Sequence, residues 1–127
     1  MKKIFSITEL KLNFNWGMIA FVLHRITGIA LSLYLFLHIW TLSAVQEGEA
    51  AFNHSIDKWD NAVGHIFEYL LLLAVTWHLL NGIRVTFVDF LRFTRQQKRM
   101  LAWAIVLTVI VAIVSATIFI PELTRPA

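Results

Sequence analysis

Three long runs without a charged residue limit what this chain can fold into. They cover residues 26–45, 69–83 and 100–120 of a chain of 127 residues. A helix that crosses a bilayer needs about 20 consecutive, mainly apolar residues. The first and third runs meet that length directly, and the second meets it if its helix begins near Ala62 and tolerates Glu68. The sequence therefore predicts an all-α integral membrane protein rather than a water-soluble domain.

The predicted transmembrane helices span about residues 18–44, 62–88 and 99–120, and Pro121 is expected to end the third. Short connections between consecutive spans favour antiparallel neighbours, which gives an up-down-up bundle. The three helices account for most of the chain and leave no room for a soluble domain. Residues 1–127 are therefore expected to form a single membrane domain.

The segments outside the predicted helices are short and polar. The first 17 residues form an expected interfacial lead-in, partly helical over residues 7–12, and the apolar run after them is too long for the core of a signal peptide. Residues 46–61 are expected to form a polar loop. Three side chains in that loop are possible helix caps: Asn53, Ser55 and Asp57.

Basic residues are concentrated on one predicted side of the membrane, whereas the loop over residues 46–61 carries four acidic residues and one lysine. The positive-inside rule places the amino terminus in the cytoplasm and the carboxy terminus outside. No nucleic-acid partner is expected, because the basic cluster flanks a membrane span and lacks a recognition motif. The chain has no cysteine, which excludes disulfides and iron–sulfur ligation by this chain. The basic residues are Lys2, Lys3, Lys11, Arg92, Arg95, Lys98 and Arg99.

His78 is the strongest candidate for a functional side chain. It lies inside the second run, where an uncompensated imidazole is costly. Gly82, four residues later, lies on the same helix face and removes the side chain that would block a flat ligand beside the ring. Haem is the favoured interpretation, and a hydrogen bond to a neighbouring helix is the alternative. Zinc is disfavoured because no second nearby nitrogen, sulfur or carboxylate ligand completes a site.

The other four histidines divide into two groups. His54 lies in the outer connection and His65 at the outer end of the second helix, where solvated or interfacial imidazoles need no ligand. His24 and His38 lie on the first helix and point to within about 40° of one face. His24 lies near the cytoplasmic boundary. His38 lies deep in the apolar run, where haem ligation and an inter-helix hydrogen bond remain equally open.

His38 and His78 are not expected to bind opposite faces of one haem. If Arg25 and Arg84 mark similar depths on antiparallel helices, His78 lies about 9 Å and His38 about 20 Å further into the membrane. An offset of about 10 Å is too large for the two axial ligands of one flat ring. The sequence predicts that each histidine binds a different haem, or that only His78 binds one. In both cases a second membrane subunit must supply the opposite axial ligand.

Two arginines lie near the ends of the predicted helices, and either could extend to the headgroups. Arg25 forms a compact polar group with His24 and Thr27. Arginine suits carboxylates such as haem propionates, and it can donate to the carbonyl oxygens of a quinone. For Arg84, which precedes Asp89 by five residues, a salt-bridged helix end is the favoured interpretation.

Two motifs carry a resemblance to a known family. Residues 24–28 read HRITG, similar to the signature H-R-x-[TS]-G, and residues 78–84 read HLLNGIR, similar to the signature H-x-x-x-G-[IL]-R with Asp89 as its nearby aspartate. Both signatures are those of the cytochrome b membrane-anchor subunits of succinate dehydrogenase (succinate:quinone oxidoreductase). The number and order of the helices also match, so the resemblance covers nearly the whole chain, about residues 15–120.

The resemblance implies a non-catalytic subunit of an enzyme complex. Such a subunit anchors a flavoprotein subunit and an iron–sulfur subunit to the cytoplasmic or mitochondrial inner membrane, and electrons pass from succinate to quinone. The implied cofactor is haem b, one or two per complex, shared with a second membrane subunit. His78 matches the axial haem ligand, and Arg25 matches the arginine near quinone and the haem propionates. Arg25, His24 and Thr27 are the expected quinone contacts.

The chain departs from the family pattern at three positions. Phe21 stands where some members carry a serine that contacts quinone, and Val85 stands where many carry a histidine. His38 is an addition relative to single-haem members and resembles members that hold two haems stacked across the membrane. The calculated offset agrees with that arrangement, so His38 is assigned to a distal haem.

Two alternatives remain open on the sequence. One is a cytochrome b anchor of a fumarate reductase or of another quinone-linked oxidoreductase. The other is a haem-free structural or transport component whose histidines make only inter-helix hydrogen bonds. A visible absorption spectrum separates the second alternative from the rest.

Overall fold

The structure is a computed structural model that describes residues 15–124, and in this part of the chain it contains helices and no strands. The predicted lead-in helix over residues 7–12 lies outside the described residues, as do Lys2, Lys3 and Lys11. The α-helices are α1 Trp16–Ser43, α2 Glu49–Asp57, α3 Ala62–Leu91 and α4 Gln97–Leu123, with 3-10 turns at Ala44–Glu47 and Thr94–Gln96.

Three helical segments are long and apolar enough to cross a membrane. They cover Trp16–Glu47, Ala62–Leu91 and Thr94–Leu123 and contain 32, 30 and 30 residues. No more than 11% of the most apolar part of any of them is buried within the chain, so most of the apolar surface is left for lipid or for another polypeptide. The prediction of three spanning helices in an all-α membrane protein is confirmed.

Neighbouring spans run antiparallel. On α1 and α3, Gly28 lies against His78 and His24 lies against Gly82, so one residue number rises as the other falls. On α3 and α4, the Tyr69 hydroxyl donates to the carbonyl oxygen of Ala112 over 2.9 Å. Nearer the other end of these helices, Ala20, Trp77 and Leu101 pack together, and they join α1, α3 and α4 in the chain's small core.

Asparagine side chains cap the first two spanning helices. Asn15 accepts a hydrogen bond from the Met18 amide over 2.8 Å, and Asn61 accepts one from the Gly64 amide over 3.0 Å. Each bond satisfies an amide that has no partner within its helix. The predicted caps Asn53, Ser55 and Asp57 do not act as caps, since all three lie inside α2.

The prediction that residues 46–61 form a polar loop is therefore wrong over Glu49–Asp57, which form α2. Gly48 separates α2 from the preceding turn, with a φ of 107° that glycine tolerates best. Two alanines follow in the first turn of α2 and favour a helix. The short helix is tied to α1 by the Ser55 hydroxyl, which donates to the carbonyl oxygen of Thr41.

The predicted end of the last helix is also wrong by about one turn. Pro121 lies inside α4, which continues to Leu123. Proline removes one amide donor, so the Thr117 carbonyl loses its usual partner, and only two helical residues follow the proline. The Thr124 amide then closes the last turn on the Pro121 carbonyl over 3.3 Å.

Substituting Gly64 tests the turn that begins α3. A Cβ atom at this buried glycine would overlap the carbonyl oxygen of Trp59, and that oxygen is held by the Asn61 amide over 2.9 Å. Because the turn cannot move away cheaply, Gly64→Ala is expected to destabilise the protein by about 1–3 kcal/mol. The measurement is the melting temperature of the detergent-purified complex. Val63→Ala, at a neighbouring position that is 59% exposed, is the control and should leave it nearly unchanged; equal melting temperatures for both variants would contradict the expectation.

Candidate functional site

His24 and His78 meet between α1 and α3. Their imidazole rings are stacked, with centroids 4.0 Å apart and planes inclined by only 5°. Both side chains are partly buried, and the pairing joins the two motifs that the sequence singled out. The structure therefore brings together two of the predicted site residues from different helices.

Two glycines lie where the helices meet, and Gly28 is the one that the close approach requires. A Cβ atom at Gly28 would lie 3.1 Å from Cε1 of His78, tighter than an ordinary contact, whereas one at Gly82 would lie 3.5 Å from Cε1 of His24. The expectation that Gly82 leaves space for a flat ligand beside His78 is wrong, because the His24 ring lies there. Helix spacing could show that position 82 shares a face with His78, but not which side chain of the neighbouring helix fills that face.

Main-chain and hydroxyl oxygens of α1 surround one nitrogen of His78. Its Nδ1 lies 3.1 Å from the carbonyl oxygen of His24 and 3.1 Å from Oγ1 of Thr27. A carbonyl oxygen can only accept, so Nδ1 carries the proton and donates. Nε2 makes no hydrogen bond to any residue that the structure describes, so it is the nitrogen available to bind a metal.

His78 also lines an open cleft on the surface of the bundle. Arg25 also lines this cleft, and its guanidinium lies 5.6 Å from the centre of the Phe21 ring. The Ser32 hydroxyl donates to the carbonyl oxygen of Gly28 over 2.8 Å. Imidazole, cation and apolar side chains thus share one surface that a flat, partly charged ligand could cover. The lining residues are Arg25, Gly28, Ile29, Ser32, Leu33 and His78.

Arg84 has a different partner from the one expected. Only 6% of it is exposed, and its Nε donates to Oδ1 of Asn81 over 2.9 Å. No ion pair joins Arg84 to Asp89, which is exposed, so the interpretation as a salt-bridged helix end is wrong. The reason is helix geometry: Asn81 lies one turn before Arg84 on the buried face, and Asp89 points elsewhere.

Asn81 is the functional candidate that the sequence reasoning missed. It is fully buried, and its side-chain oxygen accepts the hydrogen bond from the buried Arg84. Its position in the second motif, three residues after His78, is the signal that could have identified it. A buried amide that binds a guanidinium in a membrane helix compensates part of the cost of burying that charge.

His38 lies apart from this group. It is exposed on α1, and its Nδ1 lies 3.1 Å from the Tyr34 hydroxyl. It is ten residues beyond Gly28, the residue that touches His78, which corresponds to about 15 Å along the helix. The structure thus separates His38 and His78 by more than the two axial ligands of one haem allow, as the calculated offset predicted.

The remaining two histidines lie at the opposite end of the bundle. His65 contacts Asp60 over 3.4 Å and Glu68 over 3.2 Å, and His54 is exposed on α2. His65 is thereby engaged with carboxylates at the start of α3. Neither histidine lies near the cleft.

Comparison with known proteins gives matches over most of the chain. Residues 2–116 match the family "Succinate dehydrogenase/Fumarate reductase transmembrane subunit". The chain is 34% identical over 108 residues to the succinate dehydrogenase hydrophobic membrane anchor subunit of Halobacterium salinarum, covering 84% of this chain and 83% of that protein. It is 32% identical over 89 residues to the succinate dehydrogenase 2 membrane subunit SdhC of Mycobacterium tuberculosis, covering 70% of this chain and 65% of that protein.

Proposed function

Because the chain belongs to the family of succinate dehydrogenase and fumarate reductase transmembrane subunits, we propose that it holds a haem b through Nε2 of His78 and contributes to a quinone site. The match confirms the resemblance predicted from the two motifs, and the chain is a membrane-anchor subunit of succinate dehydrogenase. Haem binding and quinone binding go beyond this family membership and are what we propose.

One observation carries the haem proposal: the hydrogen bonds of His78. Since Nδ1 donates to the His24 carbonyl, Nε2 is the nitrogen whose lone pair a metal can bind. This is the tautomer that haem iron requires of an axial imidazole, and metal-bound histidines commonly donate their other N–H to a carbonyl oxygen. Gly28 places no side chain beside the ring, and Ile29 and Leu33 contribute apolar side chains to the cleft. The residues present therefore fit a haem.

The open shape of the cleft indicates that a second membrane subunit completes the site. The cleft is an open surface rather than an enclosed cavity, and His38 is too far along α1 to reach the same iron. A haem held by His78 in this open cleft would need a further ligand and a covering wall from a second membrane subunit. That subunit would also cover part of the exposed apolar surface of the spanning helices. His38, with Tyr34 at its Nδ1, is proposed as the ligand of a second, distal haem that is shared in the same way.

Bound haem supplies a one-electron carrier that accepts electrons and passes them on. The residues of this chain hold and orient it. His78 would hold the iron through Nε2, and Arg25, which lines the cleft, would bind a propionate or donate to a quinone carbonyl. Of the three expected quinone contacts, only Arg25 lines the cleft; His24 and Thr27 lie behind it, between α1 and α3.

The distribution of basic residues gives the orientation of the chain in the membrane. The end of the bundle that bears Arg25 faces the cytoplasm, and the amino terminus lies on that side. The iron–sulfur subunit and the flavoprotein subunit bind at that face, and the carboxy terminus lies outside. Quinone then meets the chain close to the electron donor.

The quinone role is tested by Arg25→Ala. Loss of a charged hydrogen-bond donor at the cleft is expected to lower succinate–quinone reductase activity roughly tenfold or more, because such bonds contribute about 1.5–3 kcal/mol. Electron transfer from succinate to a soluble artificial acceptor should be nearly unchanged. Lys58→Ala removes an exposed cation at the opposite end of the bundle, away from the cleft and from the cytoplasmic face, and should affect neither assay. Equal losses in both assays for Arg25→Ala would indicate damaged assembly and contradict the role.

One observation favours a second candidate, a haem-free anchor. The bond from Nδ1 of His78 to α1 is the inter-helix hydrogen bond that such a protein would use to compensate a polar side chain. The two candidates differ in what Nε2 binds. A reduced spectrum of the purified complex without a low-spin b-type α band would select the haem-free anchor.

A further inference from the structure

We propose that Thr27 is a positioning residue for the haem: its hydroxyl, with the carbonyl oxygen of His24, fixes the orientation and basicity of the His78 imidazole and thereby lowers the reduction potential of the iron. The inference rests on the proposed haem at His78. It assigns to Thr27 a role inside the bundle, in place of the quinone contact that the resemblance implied.

The hydrogen bonds of Thr27 orient its hydroxyl towards His78. Oγ1 lies 2.8 Å from the carbonyl oxygen of Leu23 and 3.0 Å from that of His24, so its single proton is donated to the main chain of α1. The oxygen then has only lone pairs left for Nδ1 of His78, which lies 3.1 Å away and carries a proton. Thr27 is therefore an acceptor for the imidazole.

Two acceptors on α1 fix the rotation of the ring. A single acceptor would let the imidazole pivot about its hydrogen bond, whereas the His24 carbonyl and the Thr27 hydroxyl hold Nδ1–H between them. The stacked ring of His24 restrains the His78 plane from one side. The direction of Nε2 is thus determined by α1, although His78 itself belongs to α3.

The same bonds change the electronic character of the ligand. An acceptor on the outer N–H of a metal-bound imidazole raises the basicity of the nitrogen that faces the metal. A more basic ligand stabilises ferric iron over ferrous iron, because the ferric ion carries the higher charge. Removing one of the two acceptors should therefore raise the reduction potential without removing the axial ligand.

The surface of the cleft supports this role over quinone contact. Thr27 is not among the side chains that line the cleft, whereas the neighbouring Arg25 and Gly28 are. Its proton and one lone pair are already engaged inside the bundle. A quinone in the cleft would meet Arg25 before it met Thr27.

The test is Thr27→Val in the intact complex, since valine keeps the branched shape and removes the hydroxyl. The reduction potential of the haem is measured by optical redox titration, and the axial ligand field by low-temperature electron paramagnetic resonance. We expect the haem-to-flavin ratio to stay normal and the g values to change. The potential should rise by up to about 59 mV, equivalent to a tenfold change in a one-electron equilibrium. Thr27→Ser should restore both readouts.

Thr108→Val is the matched control. Thr108 is also a partly buried helical threonine, but its hydroxyl donates only to its own helix, to the Ala104 carbonyl over 2.8 Å. This variant should leave potential and g values unchanged. A wild-type potential and spectrum in Thr27→Val would overturn the inference, as would haem loss in both Thr27→Val and Thr27→Ser. Haem loss in Thr27→Val alone would support it, because serine keeps the hydroxyl that valine lacks.

The failure of this inference can be told from failure of the proposed function. If His78→Ala keeps its haem, the proposed function fails and the role of Thr27 fails with it. If His78→Ala loses its haem while Thr27→Val behaves as wild type, only the role of Thr27 is removed.

Discussion

Changing His78 to alanine should remove the α and Soret bands of one low-spin b-type haem from the purified complex. The substitution deletes Nε2 of His78, which makes no hydrogen bond to any described residue and belongs to the one imidazole among the residues that line the cleft. Loss of an outer-shell partner already costs about 10–100-fold in metal affinity, and loss of an axial ligand should cost more. The haem-to-flavin ratio of the purified complex measures the effect.

His65→Ala is the control for the His78 substitution. It removes an imidazole from the same helix, but one that contacts Asp60 and Glu68 at the opposite end of the bundle. Its haem content should equal that of the wild type. An unchanged haem content in His78→Ala, in a complex that still contains all its subunits, would contradict the assignment.

Gly28→Val is expected to have the next largest effect, because it places bulk directly against the His78 ring. Even a Cβ atom would lie 3.1 Å from Cε1 and 3.7 Å from Nδ1 of His78, and valine adds two methyl groups. Overpacking of this kind costs about 1–3 kcal/mol. If the ring moves, its bonds to α1 break, and the same energy corresponds to a loss of roughly 5–150-fold in haem affinity.

Gly82→Ala provides the comparison for Gly28→Val. Its Cβ atom would lie 3.5 Å from Cε1 of His24, an ordinary contact, and alanine favours the helix over glycine. Haem content, measured as the haem-to-flavin ratio, should fall in Gly28→Val and remain normal in Gly82→Ala. The reverse order, or normal haem in both, would show that the close approach at Gly28 does not hold the ligand.

The number and length of the spanning helices could be predicted because they depend on one property, the absence of charge over about 20 residues. Two predictions were wrong at positions where the absence of charge says nothing about where a helix begins or ends. Residues 46–61 were polar enough for a loop, but Gly48 and the alanines after it permit α2. Pro121 was expected to end the last helix, yet the helix continues for a short stretch beyond it, where few hydrogen bonds remain to be lost.

The residues of the candidate site were predictable in part. The costs of a buried imidazole and the two motifs pointed to His78, His24 and Arg25. Their contacts were not predictable, because the spacing within one helix does not say which side chain of another helix faces it. The stacking of His24 on His78 and the acceptor role of Thr27 required the relative rotation of α1 and α3. The pairing of Arg84 with Asn81 rather than Asp89 depended on which face of α3 is buried.

A density map of the intact, oxidised complex around His78 tests the central claim most directly. The account predicts a porphyrin in the cleft beside Gly28, with its iron bonded to Nε2 of His78, Nδ1 directed at the His24 carbonyl, and the opposite axial ligand on another polypeptide. A map in which Nε2 contacts only protein or water, with no porphyrin alongside, would contradict it.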